Sequence, residues 1–261
     1  MADKLAIITG ASTGIGFELA TLAAKDGYDL IVVADEALIN AAANDFEQFG
    51  TTVTAIEADL STIKGVDRAL DAADGRQIDL LCANAGHGLG HAFLDQEVSD
   101  WRSVVDTNIT GTAYLLQKVL GPMVARNAGK VLVTGSIAGY IPGSFQAVYN
   151  GTKAFVDSFV AAIQNEIKDA DGVTLTNLMP GPVDTEFFAR GDMLDTDVGS
   201  DPNKSDPADV AKDGWDALMA GKASVVSGWK NKIQSAVANI TPNAILAEQH
   251  RKMAEPGTAK D

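Results

Sequence analysis

Cysteine is almost missing: Cys82 is the single thiol in 261 residues. One thiol excludes an internal disulfide and fits a reducing compartment, so a cytoplasmic location is expected. Cys82 falls in the apolar run 79–83 and reads as a packed strand residue, not as a nucleophile. Positive charge is also short, with 20 Lys and Arg against 35 Asp and Glu, a formal net charge of −15. Phosphate surfaces repel such a chain, and no Lys/Arg cluster offsets the imbalance, which argues against nucleic acid or an anionic membrane as partner. No apolar run approaches the roughly 18 residues of a membrane span. The opening MADKLAIITG has too short an apolar stretch for a signal peptide. Histidine is scarce as well. His87 and His91 are split by GLG and have no pattern of acids around them, so no metal is expected.

What is present is an ordinary globular mixture, 46% apolar and 21% charged, long enough to bury a sizeable core. Short apolar, β-rich runs recur at 4–9, 29–34, 52–57, 79–83, 130–134, 173–179 and 224–226. They are nearly continuous in apolar character, as strands covered on both faces must be. Helical patterns lie between them, at about 15–25, 36–49, 62–74, 99–127, 149–169 and 207–220. This alternation predicts an α/β fold: a doubly wound, seven-stranded parallel sheet with helices on both faces and right-handed crossovers. Residues 1–253 read as one domain. Residues 184–206 have no clear element and are expected to form a substrate lid. Residues 227–253 carry further amphipathic helical pattern, suited to capping a pocket or meeting a partner subunit, and 254–261 read as a flexible tail.

After the first strand comes TGASTGIG, residues 9–16, opening a helix. Gly10, Gly14 and Gly16 let the main chain turn tightly and approach a pyrophosphate. Ser12, Thr13 and Ile15 carry backbone amides toward the helix N-terminus and its positive dipole end. The spacing is G-x-x-x-G-x-G, not the common G-x-G-x-x-G fingerprint, but its place after a strand and before a helix suits a loop that holds a nucleotide phosphate. Asp35 closes the second strand. A carboxylate there accepts hydrogen bonds from an adenosine ribose and repels a 2′-phosphate. No Lys or Arg neighbours Asp35 or Glu36, so NAD is favoured over NADP. Farther on, Tyr149 precedes Lys153 by four residues on one helical face, where a fixed cation makes a phenol a better proton donor and acceptor.

With these residues in view the chain resembles the short-chain dehydrogenase/reductase family, in its single-domain branch, over about residues 4–230. TGASTGIG (9–16), ADL (58–60), NAG (84–86), the Asn108 of DTNITG, GS (135–136), YNGTK (149–153) and PGPVDT (180–185) fall in that family's order. The family often has two asparagines before AG; here the first is Ala83. The resemblance implies hydride transfer between NAD(H) and an alcohol or ketone. Asn108, Ser136, Tyr149 and Lys153 would form the catalytic group, with Tyr149 as general acid/base. Asp59 and Leu60 would meet the adenine, Asn84 and Gly86 the adenosine and ribose, and Pro180, Gly181, Val183 and Thr185 the nicotinamide, with Tyr149 and Lys153 beside it. Asp59 also suits the N-cap of the helix at 62–74. Asn108 would sit at a local kink and hold a water that relays protons from Lys153. Assembly as a homodimer or homotetramer through the helix at 155–167 and its neighbour is implied too.

Lowering a phenol from about 10 to about 7 takes roughly 4 kcal/mol of preference for the anion, which Lys153 and an oxidised nicotinamide are expected to supply. Ile137, Tyr140, Phe145, Gln146, Phe187, Phe188, Trp229, His87 and His91 are candidates for the substrate wall, and their character points to a hydrophobic alcohol or ketone. Three other readings compete: an NADP-dependent carbonyl reductase of the same family, an eliminating dehalogenase on the same fold, and a non-enzymatic redox sensor. The nucleotide glycines argue against the second, and the joint presence of Ser136, Tyr149 and Lys153 against the third.

Overall fold

The structure is a computed structural model that describes residues 4–259. Seven parallel strands form one sheet in the order β3-β2-β1-β4-β5-β6-β7. They are β1 (Leu5–Thr9), β2 (Asp29–Ala34), β3 (Val53–Glu57), β4 (Leu80–Ala83), β5 (Gly129–Thr134), β6 (Val173–Met179) and β7 (Ser224–Val226). Every residue of β1, β2 and β4 is buried, whereas the edge strands β3 and β7 are partly open. The near-continuous apolar runs have this cause. Ala6, Ile8, Leu30, Val32, Cys82 and Leu132 face one helical layer, while Leu5, Ile7, Ile31, Val33, Leu81 and Val131 face the other. Each fully buried Leu or Ile contributes about 1.5–3 kcal/mol before entropy is counted.

The first layer holds α1 (Gly14–Lys25), α2 (Leu38–Glu47) and α9 (Pro207–Met219); the second holds α3 (Ile63–Asp71), α5 (Thr112–Ala125) and α6 (Ala147–Glu166). Strand order reverses between β1 and β4, which opens a crevice at their carboxyl ends. The expected single helix at 99–127 is two. α4 (Val98–Val105) passes through a π-helical turn, Asp106–Gly111, into α5. Gly111 packs so closely under the Leu60 carbonyl that a side chain there would collide with it. The N-cap of α3 is Thr62, whose hydroxyl accepts from the Gly65 amide at 3.0 Å, not Asp59. Asp59 instead accepts from the Ser61 amide at 2.9 Å.

The segment expected as a featureless lid contains α7 (Phe187–Arg190) and α8 (Asp197–Ser200), closed at its base by a bridge between Val183 and Ser205. The last amphipathic stretch is split by Pro242 into α10 (Trp229–Ala238) and α11 (Asn243–Ala254). The tail does not fray over its described part. The Gly257 amide donates to Asp195 Oδ2 at 3.0 Å, the Ala259 amide to the Asp195 carbonyl at 2.9 Å, and the Asp197 amide to Thr258 Oγ1 at 3.1 Å. Residues 260–261 of the expected tail lie outside the described residues.

Candidate active site

A cavity of about 410 Å³ occupies the crevice at the carboxyl ends of β1 and β4. Its nucleotide end is the glycine loop. Gly10 and Gly14 have φ of +65° and +59°, which L side chains resist. A Cβ on Gly14 would lie 2.8 Å from Thr185 Cγ2, and one on Gly10 would lie 3.0 Å from Ala85 Cα. The loop is therefore a cradle that any side chain would fill. Thr13 caps α1 without a side-chain hydrogen bond, the first turn carries no acid, and Thr13, Gly14 and Ile15 at this helix start line the cavity. Gly16 does not line the cavity; it packs against the Gly10 carbonyl and Asn84. Asn84 ties three strands together. Its amide N–H donates to Thr9 Oγ1 at 3.0 Å, its side chain donates to the Thr9 carbonyl at 3.2 Å, and it accepts from Thr134 Oγ1 at 3.0 Å. One asparagine suffices for this brace, so Ala83 does no damage.

Asp35 lines the cavity with an exposed carboxylate, and Asp59 and Leu60 line it nearby. Glu36, beside Asp35, accepts from Ser12 Oγ at 2.5 Å and pairs with Arg190 at 2.7 Å. The Ser12 hydroxyl, then the Arg190 guanidinium, holds its carboxyl below the usual carboxylate range. Arg190 comes from α7, and no local pattern around Asp35 announces it. These residues suit a dinucleotide: a glycine cradle, free helix amides and an unpaired acid for a ribose diol.

At the other end Ser136, Tyr149 and Lys153 converge on the same cavity. α6 places Tyr149 and Lys153 one turn apart, and the ammonium lies 5.9 Å from the phenol ring centre. Lys153 is buried and donates to the Thr134 carbonyl at 2.8 Å. Ser136 follows β5 by two residues, with its hydroxyl 3.3 Å from the Pro180 carbonyl and accepting from the Ala138 amide at 3.1 Å. Pro180, Gly181, Val183 and Thr185 complete this wall. Burial pulls Lys153 down to about 8, with Asp157 opposing. Tyr149 departs from expectation. Burial pushes its phenol up to about 12, against the Ser136 hydroxyl and reinforced by Asp157. Desolvation is the largest influence on this phenol.

Asn108 does not line the cavity. Its side chain donates to the His87 carbonyl at 3.0 Å and to Thr152 Oγ1 at 3.0 Å, and it accepts from the His87 amide at 3.1 Å. All of its polar atoms are used as a strut between the loop after β4, the π turn and α6.

Ile137, Gln146, Phe187, Phe188 and His87 line the cavity as expected. Tyr140, Phe145, Trp229 and His91 do not. The Tyr140 hydroxyl meets Met179 Sδ at 3.3 Å, Trp229 is exposed, and His91 pairs with Asp192 at 2.8 Å. Gln234, His250 and Met253 reach the cavity from α10 and α11 and carry no motif that would single them out. Buried His250 is held below its ordinary value by burial, against the Ser144 carbonyl that its ring meets at 2.9 Å. Cys82 is fully buried, and burial pushes its thiol up to about 12, so it is inert. Among the described residues no group of three or more His, Cys, Asp or Glu could hold a metal, and no helix is long and apolar enough to cross a membrane.

The fold and this cavity define a nucleotide-binding oxidoreductase scaffold, and the comparisons agree. The short chain dehydrogenase family model matches residues 4–192. An uncharacterized oxidoreductase of Staphylococcus aureus strain MW2 is 30% identical over 215 residues, 81% of this chain and 89% of that protein. A short-chain dehydrogenase from Sphingobium yanoikuyae in complex with NADPH superimposes with a TM-score of 0.79 at 24% identity, over 92% of this chain and 96% of that one. A Burkholderia phymatum short-chain dehydrogenase/reductase in complex with NAD gives 0.77 at 24% identity, over 89% and 92%. The chain belongs to the short-chain dehydrogenase/reductase family and is an NAD(P)-dependent enzyme.

Proposed function

We propose that the protein interconverts an apolar alcohol and its ketone with NAD(H), Tyr149 moving the proton. The convergence of Tyr149, Lys153 and Ser136 on the cavity carries this reading. Nicotinamide, when bound, gives or takes the hydride and in its oxidised form brings a positive charge to the site. Tyr149 donates the proton to the substrate oxygen in reduction and removes it in oxidation. Lys153, pinned to Thr134, stabilises the phenolate. Ser136 hydrogen-bonds the same substrate oxygen. Asn108 keeps α6 and the loop after β4 in register. Ile137, Ile141, Phe187, Phe188 and Met253 exclude water and favour an apolar substrate.

NAD is preferred because Asp35 and Glu36 both put negative charge where a 2′-phosphate would lie, and Arg190 is already paired with Glu36. Assembly through the outer faces of α5 and α6, in a reducing compartment, completes the reading. Titration calorimetry with NAD and NADP, followed by a panel of alcohols and ketones, tests it. Tyr149→Phe is expected to lower kcat at least about a thousandfold while NAD binding stays within about twofold. Turnover that survives in this variant refutes the assignment.

A further inference from the structure

Asp157 follows Lys153 by one helical turn on α6, and the chemistry above does not use it. Its Oδ1 accepts from Asn177 Nδ2 at 2.8 Å, across the layer on β6. Its Oδ2 and the Asn177 Oδ1 are buried without a hydrogen-bond partner. A half-buried acid with one shielded, unpartnered oxygen is unfavourable for folding, where an apolar side chain would pack freely. The two glycines that flank Ser136 are shaped around it. A side chain on Gly135 would strike Asp157 Oδ1 and Asn177, and one on Gly139 would strike Asp157 Oδ2. The turn that carries Ser136 thus rests on this carboxylate. The titratable groups facing it are Lys153 and Tyr149 on its own helix and Tyr140 on the following turn; β6 offers the neutral Asn177, and the turn offers the Ser136 amide.

We propose that Asp157 is a positioning residue for the catalytic group: it holds the Ser136 turn and balances the charge of Lys153 in a dry site. Burial alone draws Lys153 toward neutrality, and Asp157 opposes it. The same charge raises Tyr149, so the acid acts on both members of the proton-moving pair. Asn177 and the Ser136 amide in turn favour the charged form of Asp157 against burial.

The inference rests on Tyr149 and Lys153 working as proposed, and the test separates the two. Asp157→Asn keeps the shape and the acceptor for Asn177 while removing the charge. Both limbs of the kcat/KM pH profile are expected to move to lower pH by about 0.5–1 unit. Asn177→Ala, which strips the carboxylate of its donor, moves them the same way by less and carries the test if the first variant does not fold. A merely structural role lowers kcat at every pH and leaves the limbs in place. Limbs at the wild-type pH in a folded variant overturn the proposal. Wild-type turnover that survives Tyr149→Phe refutes the Tyr149 reading instead, whatever Asp157 does.

Discussion

A lysine ammonium buried beside a phenol is a poor choice for stability, and this chain makes it at Lys153. Its value of about 8 against an ordinary 10.5 means that the unfolded chain binds the proton more tightly. Below pH 8 folding therefore bears the full desolvation cost, on the order of 3 kcal/mol. That cost is relieved as pH rises from about 8 to 10.5, where the native state sheds its proton first. Lys153→Met is thus expected to abolish turnover yet be more stable than wild type at pH 7, with the gap narrowing by pH 9.5. Denaturant unfolding at the two pH values measures it. A variant less stable than wild type at pH 7 would mean that the bond to Thr134 outweighs desolvation. Tyr149 and Lys153 were legible in the sequence because four residues make one helical turn. The direction of the Tyr149 shift was not, because burial depends on residues from β5, β6 and the lid.

At the scale of elements, the strands and the glycine loop were legible because each is local: apolar runs make buried strands, and glycines make the turn. A kink at Asn108 and a distinct segment at 184–206 were legible too, but not the π-helical form of the one or the helices and latch of the other. The π turn answers to Gly111 pressed under Leu60 and to Asn108 bridging the loop after β4 and α6, contacts between segments far apart in the chain. The segment proposed as a lid, 184–206, is latched by Arg190 on Glu36, 154 residues away in sequence. The pair is partly exposed and worth about 1 kcal/mol or less to global stability, but it tethers a short segment. Arg190→Ala is expected to leave the melting temperature within about 2 °C. It should also raise the rate of protease nicking within 187–206 several-fold, with NAD plus substrate restoring protection. Equal nicking of variant and wild type would show that Val183, Ser205 and the tail hold the lid without the latch.

Across the whole molecule, the part proposed to grip a nucleotide and the part proposed to close over substrate come from different stretches of chain. β1 through β4 build the first. The segment 184–206, α10 and α11 build the second; α8, α10 and α11 lie beyond the residues that the family model matches. Truncation before Asn243 removes His250 and Met253 from the cavity and frees Asp195 and Asp197 from the tail. NAD affinity is expected to change little, while kcat/KM for an apolar substrate falls at least about tenfold. Calorimetry and steady-state kinetics on the shortened chain check both halves. The linear chain carried the sheet, its two-sided burial, the nucleotide loop and the proton-moving pair, because each is written in spacings of two, four or a few residues. The three-dimensional packing settled the lid latch, the depth and charge of the catalytic pocket and the buttress at Asp157, because hydrogen bonds and desolvation act between segments that sequence distance keeps apart.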